Sequence, residues 1–190
     1  MSAPVLSRKI DQLLSRWKSD PQRLPLILKG CRQCGKTFSV LQFARANYDY
    51  VAYVNFFENP SYSSVFSGAL DTDTLTLKLS AVLGSDIKFV PGKTVIVLDE
   101  IQACPEARTA LKFFKTDGRY DVIATGSLLG VSGYRTTPTS VPVGYETIVE
   151  MYPLDFEEFL WALDNEVLMD FIRLHFEKRK PMEQAMHRKA

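Results

Sequence analysis

Apolar positions along this chain follow two alternating periods. Leu6, Ile10, Leu13, Leu14 and Trp17 fall at i, i+4, i+7, i+8 and i+11, which predicts a helix over 5–18 with one apolar face. Asp20-Pro21 ends it. Residues 24–28 form a short apolar run that reads as a buried strand, and 38–44 continue as a helix. A second strand is expected at 51–56, followed by a loop with Asn59-Pro60. Leu75, Leu79, Val82 and Leu83 mark a helix that Gly84 closes. After a Pro91-Gly92 turn, 94–98 reads as a strongly apolar strand. Pro105 suits the first position of the next helix, with Ala107, Leu111 and Phe114 on its inner face. A strand at 121–125, a Gly-, Ser-, Thr- and Pro-rich loop over 128–145 and a last strand at 146–151 follow. Asp155 caps a final helix, with Glu158 as capping-box partner and Phe156, Phe159, Leu160 and Leu163 as its apolar face. Mostly apolar strands alternating with helices predict an α/β fold with a parallel sheet covered on both faces.

Between the first strand and its helix lies Gly30-Cys31-Arg32-Gln33-Cys34-Gly35-Lys36-Thr37, the pattern G-x-x-x-x-G-K-[ST]. Strand, glycine loop and helix form the setting of a phosphate-binding P-loop. Gly30 and Gly35 are expected to allow backbone angles that a side chain forbids, so that successive N–H groups face the phosphates. The helix beginning near Lys36 adds its positive end. Lys36 is expected to reach the β- and γ-phosphates and the Thr37 hydroxyl to ligate Mg²⁺. The whole loop, Gly30, Cys31, Arg32, Gln33, Cys34, Gly35, Lys36 and Thr37, together with Phe38, is the candidate nucleotide-binding set. Cys31 and Cys34 also spell C-x-x-C, as in a redox pair or half a metal site. No second cysteine pair exists and Cys104 is isolated, so we read them as fillers of the loop's variable positions.

A second constellation ends the 94–98 strand. Four apolar residues, Val95 to Leu98, lead into Asp99-Glu100. Strand carboxyl ends in a parallel sheet meet the ligand crevice, which places Asp99 to hold Mg²⁺ and Glu100 to orient and deprotonate an attacking water. A complete strand-helix unit separates the two motifs. With Glu directly after the acid, this suits ATPases with an additional central strand better than small GTPases, and no Asn-Lys-x-Asp guanine motif is present. Thr125-Gly126-Ser127 ends the next strand, where a hydroxyl can sense the γ-phosphate or the water; a plain polar strand end is the other reading. Asn55, ending the second strand, is a candidate restraint on Glu100, with a core or turn role as the alternative.

Bulk properties narrow the setting. A chain of 190 residues, nearly half of them apolar, suffices for one domain with a short appendage. A net charge of +1 gives no global field toward nucleic acid or an anionic membrane. The basic cluster Lys178-Arg179-Lys180 with Arg188-Lys189 reads as a solvated helix end. Charged residues interrupt the N-terminal apolar stretch, so no signal peptide is expected, and the longest apolar runs fall well short of a bilayer span. Three cysteines fit a reducing cytoplasm.

With these residues in hand, the chain resembles the AAA-type ATPases of bacteria and archaea usually described only as ATP-binding proteins. The resemblance rests on 28–37, on Val-Asn-Phe-x-Glu-Asn at 54–59 and on Asp-Glu-Ile-Gln-x-Cys-Pro at 99–105. Thr-Gly-Ser-Leu-Leu-Gly-Val at 125–131 and Tyr-Pro-Leu-x-Phe-x-Glu-Phe-Leu at 152–160 extend it over nearly the whole chain. It implies a three-layer P-loop NTPase with a five-stranded parallel sheet, an AAA-like domain over 1–153 and a helical extension over 154–190. In longer relatives that extension begins a further C-terminal domain of unknown function, so a truncated chain is expected. The resemblance also implies ATP and Mg²⁺ as ligands. It puts Ser127, with Thr125, at the sensor position and makes Lys36, Glu100 and Ser127 the catalytic set. Homo-oligomers in this class complete the site with a neighbour's arginine; Arg135 is a candidate, with a solvent-exposed loop arginine as the alternative.

The leading expectation is Mg-dependent ATP hydrolysis coupled to a conformational change. The alternative is a nucleotide-dependent switch or assembly module with negligible turnover. A small-molecule kinase needs an arginine-rich lid, and 128–145 offers only Arg135.

Overall fold

The computed structural model describes residues 6–127 and 144–181. Five parallel strands, β1 (Leu26–Gly30), β2 (Tyr50–Asn55), β3 (Thr94–Asp99), β4 (Asp121–Ser127) and β5 (Thr147–Met151), make one sheet in the order β2-β3-β4-β1-β5. β4 therefore lies between β1 and β3, and the expected additional central strand is present. The helices are α1 (Lys9–Ser19), α2 (Lys36–Asn47), α3 (Thr72–Leu83), α4 (Pro105–Asp117), α5 (Phe156–Ala162) and α6 (Glu166–Glu177). Short 3₁₀ turns cover Pro60–Phe66 and Ile101–Ala103.

These residues fall into two compact units, Leu14–Pro153 and a helical unit made by residues up to Leu13 with those from Leu154 onward. In the larger unit every residue of β3 is buried, as expected of a strand covered on both faces. One face of the sheet presents Ile27, Val54, Ile96, Leu98 and Val122 to Phe56 just after β2 and to Phe66, Leu75, Leu79, Leu111 and Phe114 from the first 3₁₀ turn and from α3 and α4. Fully burying each such side chain contributes roughly 1.5–3 kcal/mol. Elsewhere in this unit Trp17 meets Phe43 of α2 edge to face, ring centroids 6.4 Å apart, and its indole N–H donates to the Leu24 carbonyl at 2.7 Å. Local signals set the helix ends. Asp71 caps α3 by accepting from the Thr74 N–H, Pro105 opens α4, and Gly118 closes it in the left-handed conformation.

The helical unit departs from the expected pattern. α5 buries Glu157, Glu158 and Leu160, while Phe156, Phe159 and Leu163 are exposed. The capping box between Asp155 and Glu158 is formed, and it draws charge inward. Glu158 also accepts from the Lys9 N–H at 2.8 Å and meets Arg8 at 3.1 Å; Glu157 meets Lys9 at 2.8 Å and Arg173 at 2.6 Å. Paired cations make buried carboxylates tolerable, so ion pairs rather than the aromatic stripe decide which side of α5 is covered. On α6 Leu168 is buried, while Val167 and Phe176 stay exposed.

Candidate functional site

The glycine loop leaves β1 at Gly30 and enters α2 at Lys36. Gln33 (φ 62°) and Gly35 (φ 95°) take left-handed angles, the kind of loop backbone that forms an anion-binding nest. α2 has no side-chain cap and no acidic residue in its first turn, so its leading N–H groups remain for an anion. Gly30 corrects the expectation for the first glycine: its φ is not positive. A Cβ there would lie 2.3 Å from the Met151 carbonyl oxygen and 3.2 Å from Cys34 Sγ, so close approach, not conformational freedom, demands glycine. Cys34 fills the space beneath the loop and donates its S–H to the same carbonyl at 3.6 Å, and burial pushes its thiol pKa up. Cys31 is exposed.

Lys36 is buried, its ammonium donating to the carbonyls of Gly30 (3.2 Å) and Cys31 (2.7 Å). The cation thus stands inside the loop, charge-compensated by carbonyls that a phosphate can replace. The next residue reaches across to β3. Thr37 Oγ1 donates to the Asp99 carboxylate, 3.0 Å from Oδ1 and 3.1 Å from Oδ2. Asp99 is buried and also accepts from the Tyr53 hydroxyl (2.8 Å), Asn55 Nδ2 (3.2 Å), its own neighbour's Glu100 N–H (3.2 Å) and the Thr125 hydroxyl. Register explains the convergence, since Asn55 pairs with Asp99 across β2 and β3 and Leu98 pairs with Ala124 across β3 and β4. Burial beside this carboxylate pushes the Tyr53 phenol up to about 12.

The donor set fits a small hard cation. Thr37 and Asp99 offer one hydroxyl and one carboxylate, and Mg²⁺ keeps waters and takes phosphate oxygens to complete an octahedron. Among the described residues no group of three or more His, Cys, Asp or Glu gathers.

A cavity of about 450 Å³ adjoins the loop, lined by Arg32, Gln33, Gly35, Lys36, Thr37, Phe38, Phe57, Glu100 and Gln102. Glu100 follows Asp99 in a left-handed conformation (φ 56°, ψ 46°), and its carboxylate accepts from the Gln102 amide. Phe38 and Phe57 are exposed aromatic rims of this cavity.

The structure gathers Lys36, Thr37, Asp99 and Glu100. Ser127 ends β4 in register with Gly30, at the same edge. Thr125, two residues earlier, faces Asp99 directly. Asn55 does not bond Glu100: its amide donates to Asp99 and Tyr53, and its oxygen accepts from the N–H groups of Phe57 and Glu58 at 2.9 Å each. The carboxylate it restrains is that of Asp99. Arg135 lies outside the described residues, as does Leu128 to Val131 of the 125–131 motif. Sequence reasoning missed Tyr53, Gln102 and Phe57. A hydroxyl two residues before Asn55 on the same strand face was the available signal for the first, and the Gln two positions beyond Glu100 for the second.

A family model described as "AAA domain" matches residues 22–160. No curated protein matches significantly. Among solved structures, the fold is similar to that of the Aeropyrum pernix ORC2 protein in its ADPNP-ADP complexes, with a TM-score of 0.55 and 17% identity. That match covers 88% of this chain and 54% of the other. The Aeropyrum pernix ORC1 protein in complex with DNA gives a TM-score of 0.49 at 16% identity, covering 84% and 47%. The chain spans about half the length of these structures, and at such identities the likeness is one of fold.

Proposed function

This chain belongs to the AAA domain family, and from that premise we propose that it binds ATP with Mg²⁺ and hydrolyses it to drive a conformational change. The observation that carries the reading is the contact with buried Asp99 made by Thr37, which lines a cavity together with Lys36 and Glu100. The uncapped start of α2 and the loop N–H groups bind the phosphates, and Lys36 exchanges its carbonyl partners for phosphate oxygens. Mg²⁺ would supply charge neutralisation at the phosphates. Thr37 and Asp99 hold it. Glu100 accepts the proton of the attacking water, and Ser127 with Thr125 reports the phosphate state to β4. Adenine is the proposed base because the sequence lacks a guanine-reading motif, and the similar ORC2 protein was solved with ADPNP and ADP.

The proposal extends to setting and partners. Three free thiols support a reducing cytoplasm, and no helix among the described residues is long and apolar enough to cross a membrane. Exposed Phe159, Leu163, Val167 and Phe176 on the helical unit support self-association through that surface. The domain division is proposed as an AAA-like domain over 1–153 with a helical extension from 154.

A thermal-shift titration tests the nucleotide. Mg-ATP at about 100 times its Kd adds roughly 2.7 kcal/mol, a rise in Tm of roughly 5–11 °C for a domain this size. GTP at the same concentration is expected to do less. No shift with saturating Mg-ATP would overturn the reading.

A further inference from the structure

Gln102 lies in the 3₁₀ turn Ile101–Ala103 directly after Glu100. Two features there run against stability. Glu100 holds left-handed backbone angles, which cost a residue with a side chain. It is one of only four non-glycine residues with positive φ among those described, and it shares the cavity wall with another, Gln33. The amide of Gln102 is half satisfied among the described residues: Nε2 donates to Glu100 Oε2, while Oε1 is buried with no hydrogen-bond partner among them. An amide retained for packing alone has both ends paired, or gives way to an apolar side chain of similar length, since an orphaned buried acceptor lowers stability. Backbone strain and an orphaned acceptor meeting at one cavity wall are the kind of local cost that persists where a site needs a fixed geometry.

We propose that Gln102 is a positioning residue for hydrolysis. Its amide N–H ties down one oxygen of the Glu100 carboxylate, and the other, Oε1, is thereby aimed and left for the water. In the step it serves, the water oxygen bonds to the γ-phosphorus as the bond from that phosphorus to the β-bridging oxygen breaks. ADP departs, and the water's proton passes to Glu100. The hydrogen bond also fixes the turn that carries Glu100, so the base does not have to be ordered at the moment of reaction. This inference rests on Glu100 being the base.

The test compares wild type, Gln102→Met and Glu100→Gln in ATP turnover, Mg-ATP binding and thermal unfolding. Gln102→Met keeps the length of the side chain and removes the amide. Expected is a fall in kcat of about 10–100-fold, the scale of losing reactant alignment, with Kd unchanged and Tm equal to or above that of wild type. Wild-type kcat in Gln102→Met overturns the proposal. So does a fall in kcat that comes with weaker binding and a lower Tm, because that is the signature of a structural role. If Gln102→Met does not fold, Gln102→Glu keeps the shape and sets a second carboxylate against Glu100; the same split between kcat and Kd is expected, and its absence overturns the proposal. Failure of the underlying reading is separately visible: wild type would turn over no faster than Glu100→Gln, and that result removes both the base and its positioning residue.

Discussion

The hydroxyl of Thr37 donates to both oxygens of the Asp99 carboxylate, at 3.0 and 3.1 Å, across 62 residues of sequence. This contact ties the start of α2 to the end of β3 and so joins the two motifs. Among the described residues Asp99 accepts from five groups: Thr37, Tyr53, Asn55, Thr125 and the Glu100 N–H.

Asp99→Asn is therefore expected to destabilise the nucleotide-free protein. The new NH₂ group faces donors, and at least one buried hydrogen bond is lost with its donor left unpaired, a cost of about 1–3 kcal/mol. The matching fall in Tm is roughly 2–12 °C. Thermal unfolding without nucleotide checks this, and a Tm equal to wild type would contradict the network.

Lys36→Ala and Glu100→Gln are expected to fail differently. Lys36 is the buried cation of the loop, so its loss weakens Mg-ATP binding along with turnover. Glu100→Gln keeps size and polarity and should leave binding intact. Calorimetric titration of both variants with Mg-ATP separates them; equal loss of affinity would count against the assigned roles.

Gly30→Ala is expected to damage the fold before any nucleotide is added. A Cβ at 2.3 Å from the Met151 carbonyl oxygen forces the ends of β1 and β5 apart, an overpacking cost of about 1–3 kcal/mol. Urea unfolding of the nucleotide-free protein reads it directly. Full stability in this variant would show that the backbone yields freely there.

The helical unit carries an acid-sensitive clasp. Burial alone would raise the carboxyl pKa values of Asp155 and Glu158. Backbone N–H groups of the capping box and of Lys9, with the Lys9 and Arg8 cations, outweigh it and hold both below the ordinary range. Groups lowered on folding stabilise fully above their unfolded values, about 3.9 for Asp and 4.3 for Glu, and lose that contribution as pH falls through the folded values. Glu158→Gln should thus be less stable than wild type at pH 7, with the gap narrowing as pH drops below about 4. A gap independent of pH would contradict the clasp.

Much of this was legible in the residues. Apolar runs and their caps place every strand, and the glycine loop and Asp99-Glu100 are motifs whose neighbours in sequence are their neighbours in space. What stayed hidden depends on strand order. Tyr53 and Asn55 reach Asp99 only because β2 pairs with β3, and the sequence reading pairs Asn55 with Glu100 instead. α5 misled for another reason. Its aromatic stripe marks an apolar face, but the capping box and the cations of Arg8 and Lys9 bury the opposite, acidic side. Gly30 showed the right residue type with a different cause, because a steric approach from β5 leaves no mark in the local pattern.

Phosphate release from ATP by wild type and Glu100→Gln, each with Mg²⁺ and with a chelator, tests the central claim most directly. The account predicts release by wild type that requires Mg²⁺ and falls by about 10²–10⁴-fold in Glu100→Gln, the usual loss for a missing general base. Release that persists in chelator, or that is equal in the two proteins, would contradict it.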